Sequence, residues 1–429
     1  MSDYIAQENS YLNIAGLDHE TINDLITIGT QIKENLGLMA SPIQFVSGSR
    51  VYIGSIIGNL SINQTRLIIT PKIASETALG VRDVKTLYDR TLRCSIGNMA
   101  STIYFAKNSV TDDNDIFSDI LANFFITSLN SALRGSKILQ YEERIEKTSV
   151  IKGKILVGKQ LSQPATDEKT WCKYKRMSDN NIYNQLLFWA CRYLSESVNS
   201  FDLKRRLLVL SKEFVQSTSL LSVFSVKSIR MTRQFAEYIE VLALAKDLYL
   251  GVNGKKENGA TGNQICGYAI NMERAFENIV CTYAQKASVK LGVVHKGQAS
   301  IRFATTNGAY DYEYDIRPDD LICNKQNYIV MDAKYKVLSS DNKYKRKPVR
   351  EDFYQMISSC IAYNSSEAIL VYPLSSNFPT QAWETVQIVN GKKIVVRTIG
   401  IDILGEESAI VQTLETAIRE SYIYQENAV

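Results

Sequence analysis

The stretch YDIRPDDLICNKQNYIVMDAKYK, from Tyr314 to Lys336, puts Asp319 directly after Pro318 and Asp332 thirteen positions later, followed by Ala333 and Lys334. Two carboxylates and a lysine on neighbouring strands are what metal-assisted cleavage of a phosphodiester needs. Carboxylates hold a hard divalent cation such as Mg2+ or Mn2+, which prefers oxygen ligands. Such an ion lowers the pKa of a bound water and neutralises charge growing on the phosphate. The lysine adds a fixed positive charge beside the attacking water or the scissile phosphate.

The elements that must position these groups are legible in the same stretch. NYIVMDAKYK is apolar and β-branched at its start and reads as a strand. Side chains alternate along a strand, so Asp332 and Lys334 share a face and Ala333 points the other way. YDYEYDIRPDDLIC reads as a second strand or bent ribbon. Asn324, Lys325, Gln326 and Asn327 form a polar turn of hairpin length, which would carry Asp319 to Asp332. Asp315 and Asp320 rival Asp319, but only Asp319 follows a proline. An ordinary charged surface hairpin is the plain alternative.

The helix NMERAFENIVCTYAQKASVKLG precedes this pair. Strands are expected at about 292–304, 311–323 and 327–337. REDFYQMISSCIAYN follows as a helix with Phe353, Met356, Ile357, Cys360 and Ile361 on its apolar face, and EAILVYP as a strand returning to the sheet. The order is αβββαβ, a mixed sheet flanked by helices. Between the Asp332 strand and the second helix, KYKRKPVR supplies Lys343, Lys345, Arg346, Lys347 and Arg350. A loop there would grip phosphates beside the cut, although such runs are also common on solvated surfaces.

Upstream, helical spacing over Asp18–Leu36 ends at Gly37. PIQFV, RVYIGSII and TRLIITPKI form a small β-rich module. Residues 81–107 mix both signals, and a helix is expected over Ile116–Arg134. From about 177 to 250 the pattern is strongly helical, and GVNGKKENGATGN at 251–263 reads as a flexible linker. The fold class expected is therefore α+β and multidomain: an N-terminal extension over 1–50, a β-rich module over 51–150 (partner-binding, as the resemblance given below implies), a mainly helical region over 151–264, and a domain carrying the phosphodiester-cleaving groups over 265–429.

The chain has 429 residues, 45% of them apolar, with a net charge of +4. That is enough for a sizeable core, and nucleic-acid contact must come from a local patch. No apolar run approaches a bilayer span and the start lacks a secretory signal, so a cytoplasmic protein is expected. Seven scattered cysteines, never spaced as CxxC, argue for reduced thiols and against a zinc cluster. With only two histidines, His19 and His295, histidine-based catalysis is a poor candidate, and His295 reads as structural or surface. The sequence contains no GxxxxGK[ST] phosphate loop, so any NTP hydrolysis belongs to another chain.

Pro-Asp on one strand and Asp-x-Lys on the next, between two helices, resembles the PD-(D/E)XK nuclease superfamily. That resemblance implies accessory roles for Glu277, within RAFEN, in the metal shell, and for Gln355, within FYQM, facing the site. It narrows through RLIITPKI (66–73), IKGKILVGKQL (151–161), RMSDNNIYNQLLFWA (176–190), RQFAEYIEVLALA (233–245), MERAFENIV (272–280) and RPDDLICNKQNYIVMDAKYK. In that order these pieces resemble McrC, the nuclease subunit of McrBC-type restriction systems, over most of residues 50–375. The resemblance implies an McrB-like AAA+ GTPase hexamer as partner, with GTP bound by that partner, and double-stranded DNA as substrate. Two alternatives stay open: a non-cleaving adaptor that activates an AAA+ partner, and a freestanding repair nuclease.

Overall fold

The computed structural model describes residues 2–427, except 16, 47–49, 63–64, 76–79, 106–115, 163–167, 215–220, 232, 254–265, 306–312, 325–326, 339–346, 376–377, 379–382 and 390–391. The fold is α+β, and the chain forms two compact units. One joins residues 1–104 to 263–429; the other is the intervening segment, 105–262.

The first unit holds a five-stranded sheet in which Ser2–Gln7, Thr65–Thr70, Ile56–Ile62, Cys266–Asn271 and Ile103–Phe105 lie in that spatial order. Ser2–Gln7 runs parallel to Thr65–Thr70, and Cys266–Asn271 runs antiparallel to Ile56–Ile62. The expected division at 50 and 264 is therefore corrected. The first residues are a strand of the sheet and not an extension, and the strand that opens the C-terminal third completes the N-terminal sheet. Pairing between segments some 200 residues apart leaves no local trace in composition, which is why the boundaries were misplaced. Two β-carbonless positions permit this close approach: a Cβ on Gly58 or Gly267 would meet the facing strand's backbone carbonyl, of Tyr268 and Asn59 respectively.

The helix expected from Asp18 spans His19–Leu36. The Asp18 carboxylate accepts from the Thr21 N–H at 2.6 Å, and Gly37 ends the helix in the left-handed region. Strands Ile43–Val46, Arg50–Ile53, Ile56–Ile62 and Thr65–Thr70 match the β-rich module.

A six-stranded mixed sheet carries the C-terminal chemistry, in the order Val294–Gly297, Asp320–Asn324, Asn327–Ala333, Glu367–Pro373, Lys392–Ile401, Trp383–Val389. Asp320–Asn324 and Asn327–Ala333 form the expected hairpin, with Asn324 paired to Asn327. The helix Arg350–Ala362 then connects Asn327–Ala333 to its parallel neighbour Glu367–Pro373. The two longer runs expected ahead of the hairpin each break in two. Ile301–Thr305 and Glu313–Ile316 leave the main sheet as a separate ribbon. The second break falls at Arg317–Asp319, where Pro318 has no N–H to give a ladder. Beneath the sheet, Val330, Met356, Cys360, Leu370, Tyr372, Ile394 and Val396 form one apolar cluster. Ile394→Val should cost about 1 kcal/mol, read from the midpoint of chemical denaturation.

The second unit is only partly helical. Gln140–Thr148, Lys154–Ile155 and Thr170–Ser178 form a three-stranded sheet that the sequence did not announce. Its strands are largely exposed and charged, with Lys173 on Glu143 at 2.7 Å, so the apolar alternation that marks a half-buried strand is missing. The helix Ile116–Leu133 is, contrary to expectation, long and apolar enough to cross a bilayer by length and composition alone, a test that a buried core helix also passes. Phe117, Leu121, Phe125 and Leu129 are buried in this unit, as in a core helix.

Candidate active site

Asp319 lies in the break before its strand, where its Oδ2 accepts the Ala333 N–H at 2.9 Å. The N–H of Gln298 donates to the Asp319 carbonyl at 2.7 Å, and the Gln298 amide reaches the carboxylate at 3.4 Å. The carboxylate is thus clamped against the peptide that follows Asp332. Asp332, almost fully buried as the next-to-last residue of the strand Asn327–Ala333, pairs with the Lys334 ammonium. The predicted alternation therefore holds: Asp332 and Lys334 meet on one face.

The two flanking helices each contribute one side chain. Asn271 caps the helix Met272–Leu291, accepting from the Glu273 and Arg274 N–H groups, and Glu277 follows one turn on. From the other helix, Gln355 donates to Asp332 Oδ1 at 3.5 Å. One turn earlier, Asp352 takes Lys336 at 2.8 Å on both oxygens and the Tyr372 hydroxyl at 3.2 Å, which pins this helix to the end of the Asp332 strand.

The electrostatics follow from three carboxylates crowded around one ammonium. Burial, then Asp332 and Glu277, push the Asp319 carboxyl up to about 8, against the pull of the Ala333 N–H and Lys334. Glu277 is raised for the same reasons, burial first and Asp332 second. Burial alone would favour loss of the Lys334 proton, but Asp332 and Asp319 hold it on and raise its pKa. Carboxylates that disfavour one another's ionisation make an all-oxygen donor set with excess negative charge, and such a set fits a hard divalent cation. Asp319, Asp332 and Glu277 are the residues that could hold one.

The rivals to Asp319 lie elsewhere. Asp315 is exposed on the separate ribbon beside Arg302, 3.8 Å away. Asp320 is fully buried and accepts from His295 Nε2 at 2.7 Å. In the basic run, Lys343, Lys345 and Arg346 lie outside the described residues. Lys347 and Arg350 are exposed, Arg350 as the first residue of the Gln355 helix.

Sequence reading missed a support that comes from the N-terminal strands. Tyr335, next to Lys334, donates its hydroxyl to Glu8 at 2.7 Å, and the Lys72 ammonium donates to the Tyr335 carbonyl at 2.6 Å while sitting 3.9 Å over its ring. Glu8 also accepts the Lys72 N–H at 2.8 Å. Glu8 and Lys72 come from segments whose local pattern shows only strand ends, so no sequence signal pointed to them.

Fold and site together define an α+β protein with a buried carboxylate–lysine cluster at the strand ends of a mixed sheet. The chain belongs to the McrBC family: the model described as "McrBC 5-methylcytosine restriction system component" matches residues 51–373. No curated protein matches the sequence. Among solved structures, a half-complex from a tetradecameric assembly of Thermococcus gammatolerans McrB AAA+ hexamers with bound McrC contains a similar chain. The two are 13% identical with a TM-score of 0.62, over 98% of this chain and 100% of that one. At this identity the likeness establishes the fold, and its coverage extends into the first fifty residues. A second structure, the Thermococcus gammatolerans McrBC complex, is 15% identical over 65% of this chain and 86% of the other, with a TM-score of 0.46 that adds nothing to the argument.

Proposed function

We propose that this chain is the DNA-cleaving subunit of a GTP-dependent restriction system, working in the cytoplasm on double-stranded DNA and activating an AAA+ GTPase partner. The observation that carries the reading is the meeting of Asp319, Asp332, Glu277 and Lys334, the four groups of a PD-(D/E)XK nuclease, at one end of a mixed sheet. A bound Mg2+ or Mn2+ would supply Lewis acidity and a water of lowered pKa. Asp319, Asp332 and Glu277 would hold the ion. Lys334 keeps its proton against burial and so presents positive charge where phosphoryl charge develops. Gln355 and Gln298 fix the orientations of Asp332 and Asp319. One such site cuts one strand, so a duplex break takes two copies or two successive nicks.

Family membership and the McrB AAA+ hexamers named with the similar chain support the choice of partner, an McrB-like GTPase hexamer that binds the GTP. The test is to co-purify this chain with the neighbouring gene's product. GTP- and Mg2+-dependent cleavage of plasmid carrying or lacking 5-methylcytosine would then be measured. Cleavage by the complex but not by either chain alone is expected. Cleavage by this chain without nucleotide would favour a freestanding nuclease, and GTPase stimulation with no cleavage an adaptor.

The exposed Lys347 lies between the Asp332 strand and the Gln355 helix and the exposed Arg350 opens that helix, where they would meet DNA phosphates. Replacing both with alanine should lower the log–log salt slope of DNA binding by about 2, close to one unit per lost contact. An unchanged slope in a filter-binding titration would remove them from the interface.

A further inference from the structure

Behind the Asp319 cluster, a second group of side chains uses none of its residues. Cys281 lies one helical turn beyond Glu277, His295 on the strand Val294–Gly297, and Asp320 on the neighbouring strand. One potential ligand atom from each lies within 4.8 Å of the other two. The register explains the meeting. Gly297 pairs directly with Asp320 and His295 with Ile322, so His295 and Asp320 are diagonal neighbours on one face. Gly297 leaves the space between them open: a Cβ there would stand 3.1 Å from the Cys281 sulfur and 3.9 Å from both Asp320 Oδ1 and the His295 ring.

Asp320 supplies an independent observation. It is fully buried, and while Oδ1 takes the His295 nitrogen at 2.7 Å, Oδ2 has no hydrogen-bond partner. Within the group, the remaining polar neighbour of this carboxylate is the Cys281 thiol, a weak donor. A buried carboxylate oxygen left without a partner is costly, and a cation is an ordinary remedy.

The geometry points to a zinc site formed by Cys281 Sγ, His295 Nε2 and Asp320, distinct from the nuclease cluster. Mixed sulfur, imidazole and carboxylate ligation suits a borderline-soft ion such as Zn2+ and not Mg2+. Tetrahedral zinc ligands lie roughly 3.5 Å apart, so small side-chain shifts would close the set, with water in the fourth position. Binding releases the Cys281 proton to solvent. The ion would tie the Glu277 helix to the strand that begins one residue after Asp319. Scanning for CxxC pairs could not reveal it, because its ligands come from three elements and three residue types.

The test uses Co2+ on the full-length chain, freed of metal by chelation. Thiolate ligation gives a near-ultraviolet charge-transfer band, which an all-oxygen nuclease site cannot produce. The band should appear in the native chain and in Asp332→Asn, be displaced by one equivalent of Zn2+, and vanish in Cys281→Ser. His295→Gln should shift the accompanying visible bands. Failure of Asp332→Asn to cleave DNA while keeping the band separates this site from the proposed nuclease function. If Cys281→Ser does not fold, the native chain still decides: zinc should raise its melting temperature by several degrees in excess Mg2+. No band in the native chain, or no zinc-dependent shift, overturns the proposal and leaves a His–Asp hydrogen bond beside an inert thiol.

Discussion

Lys334→Ala is expected to slow DNA cleavage by on the order of 10^3-fold while leaving stimulation of the partner GTPase intact, since in the proposed mechanism it deletes a cation that meets developing phosphoryl charge. Asp332→Asn should be at least as damaging. The two differ in stability, and that difference identifies the site. Asp332 faces Asp319 and Glu277, and burial together with their mutual repulsion raises the Asp319 and Glu277 carboxyls. Neutralising Asp332 relieves that repulsion, so in metal-free buffer Asp332→Asn should melt no lower than the native chain. Lys334→Ala leaves the buried Asp332 without its counter-ion and should melt lower. Undiminished cleavage by both variants would remove these residues from the chemistry. Loss of GTPase stimulation along with cleavage would mean that the variants had lost structure.

The second large effect concerns pH. Burial pushes the Glu8 carboxyl from 4.5 up to about 7, against Lys72 and the Tyr335 hydroxyl. The folded chain therefore keeps a proton that the unfolded chain has released. Stability contributed by this group is full below about pH 4.5, falls as pH rises to about 7, and is flat above. The full drop is about 3 kcal/mol at 1.36 kcal/mol per unit. In Glu8→Gln the amide oxygen can still accept from the Lys72 N–H and from Tyr335, but the titration is gone. The variant should thus gain about 3 kcal/mol on the native chain between pH 4.5 and 7.5, measured by urea denaturation across that range. Parallel curves would show that Glu8 does not titrate there.

The meeting of Asp319, Asp332 and Lys334 was readable because it is local: a hairpin turn and strand alternation suffice to bring the three together. The flanking helices were readable too, as was the helix that Gly37 ends, from apolar spacing and that glycine. Three features were not. The sheet of Gln140–Ser178 is charged on its exposed faces, so its pattern mimics loop. The role of Glu8 and Lys72 depends on contacts with Tyr335 across more than 260 residues, and the placing of Cys266–Asn271 beside Ile56–Ile62 on pairing across some 200. Asp320 looked like a rival to Asp319, yet one residue of displacement on a strand sends it to the opposite face and to His295.

The strand Cys266–Asn271 lies between Ile56–Ile62 and Ile103–Phe105, although more than 160 residues separate it from the latter. A ribosome making this chain finishes the whole of residues 105–262 before supplying that strand. The earlier strands must therefore wait, with their gap unfilled, until synthesis is well past the midpoint. Nascent chains halted before residue 265 should need a chaperone to stay in solution, their unfilled strand edges being open to pairing with other chains.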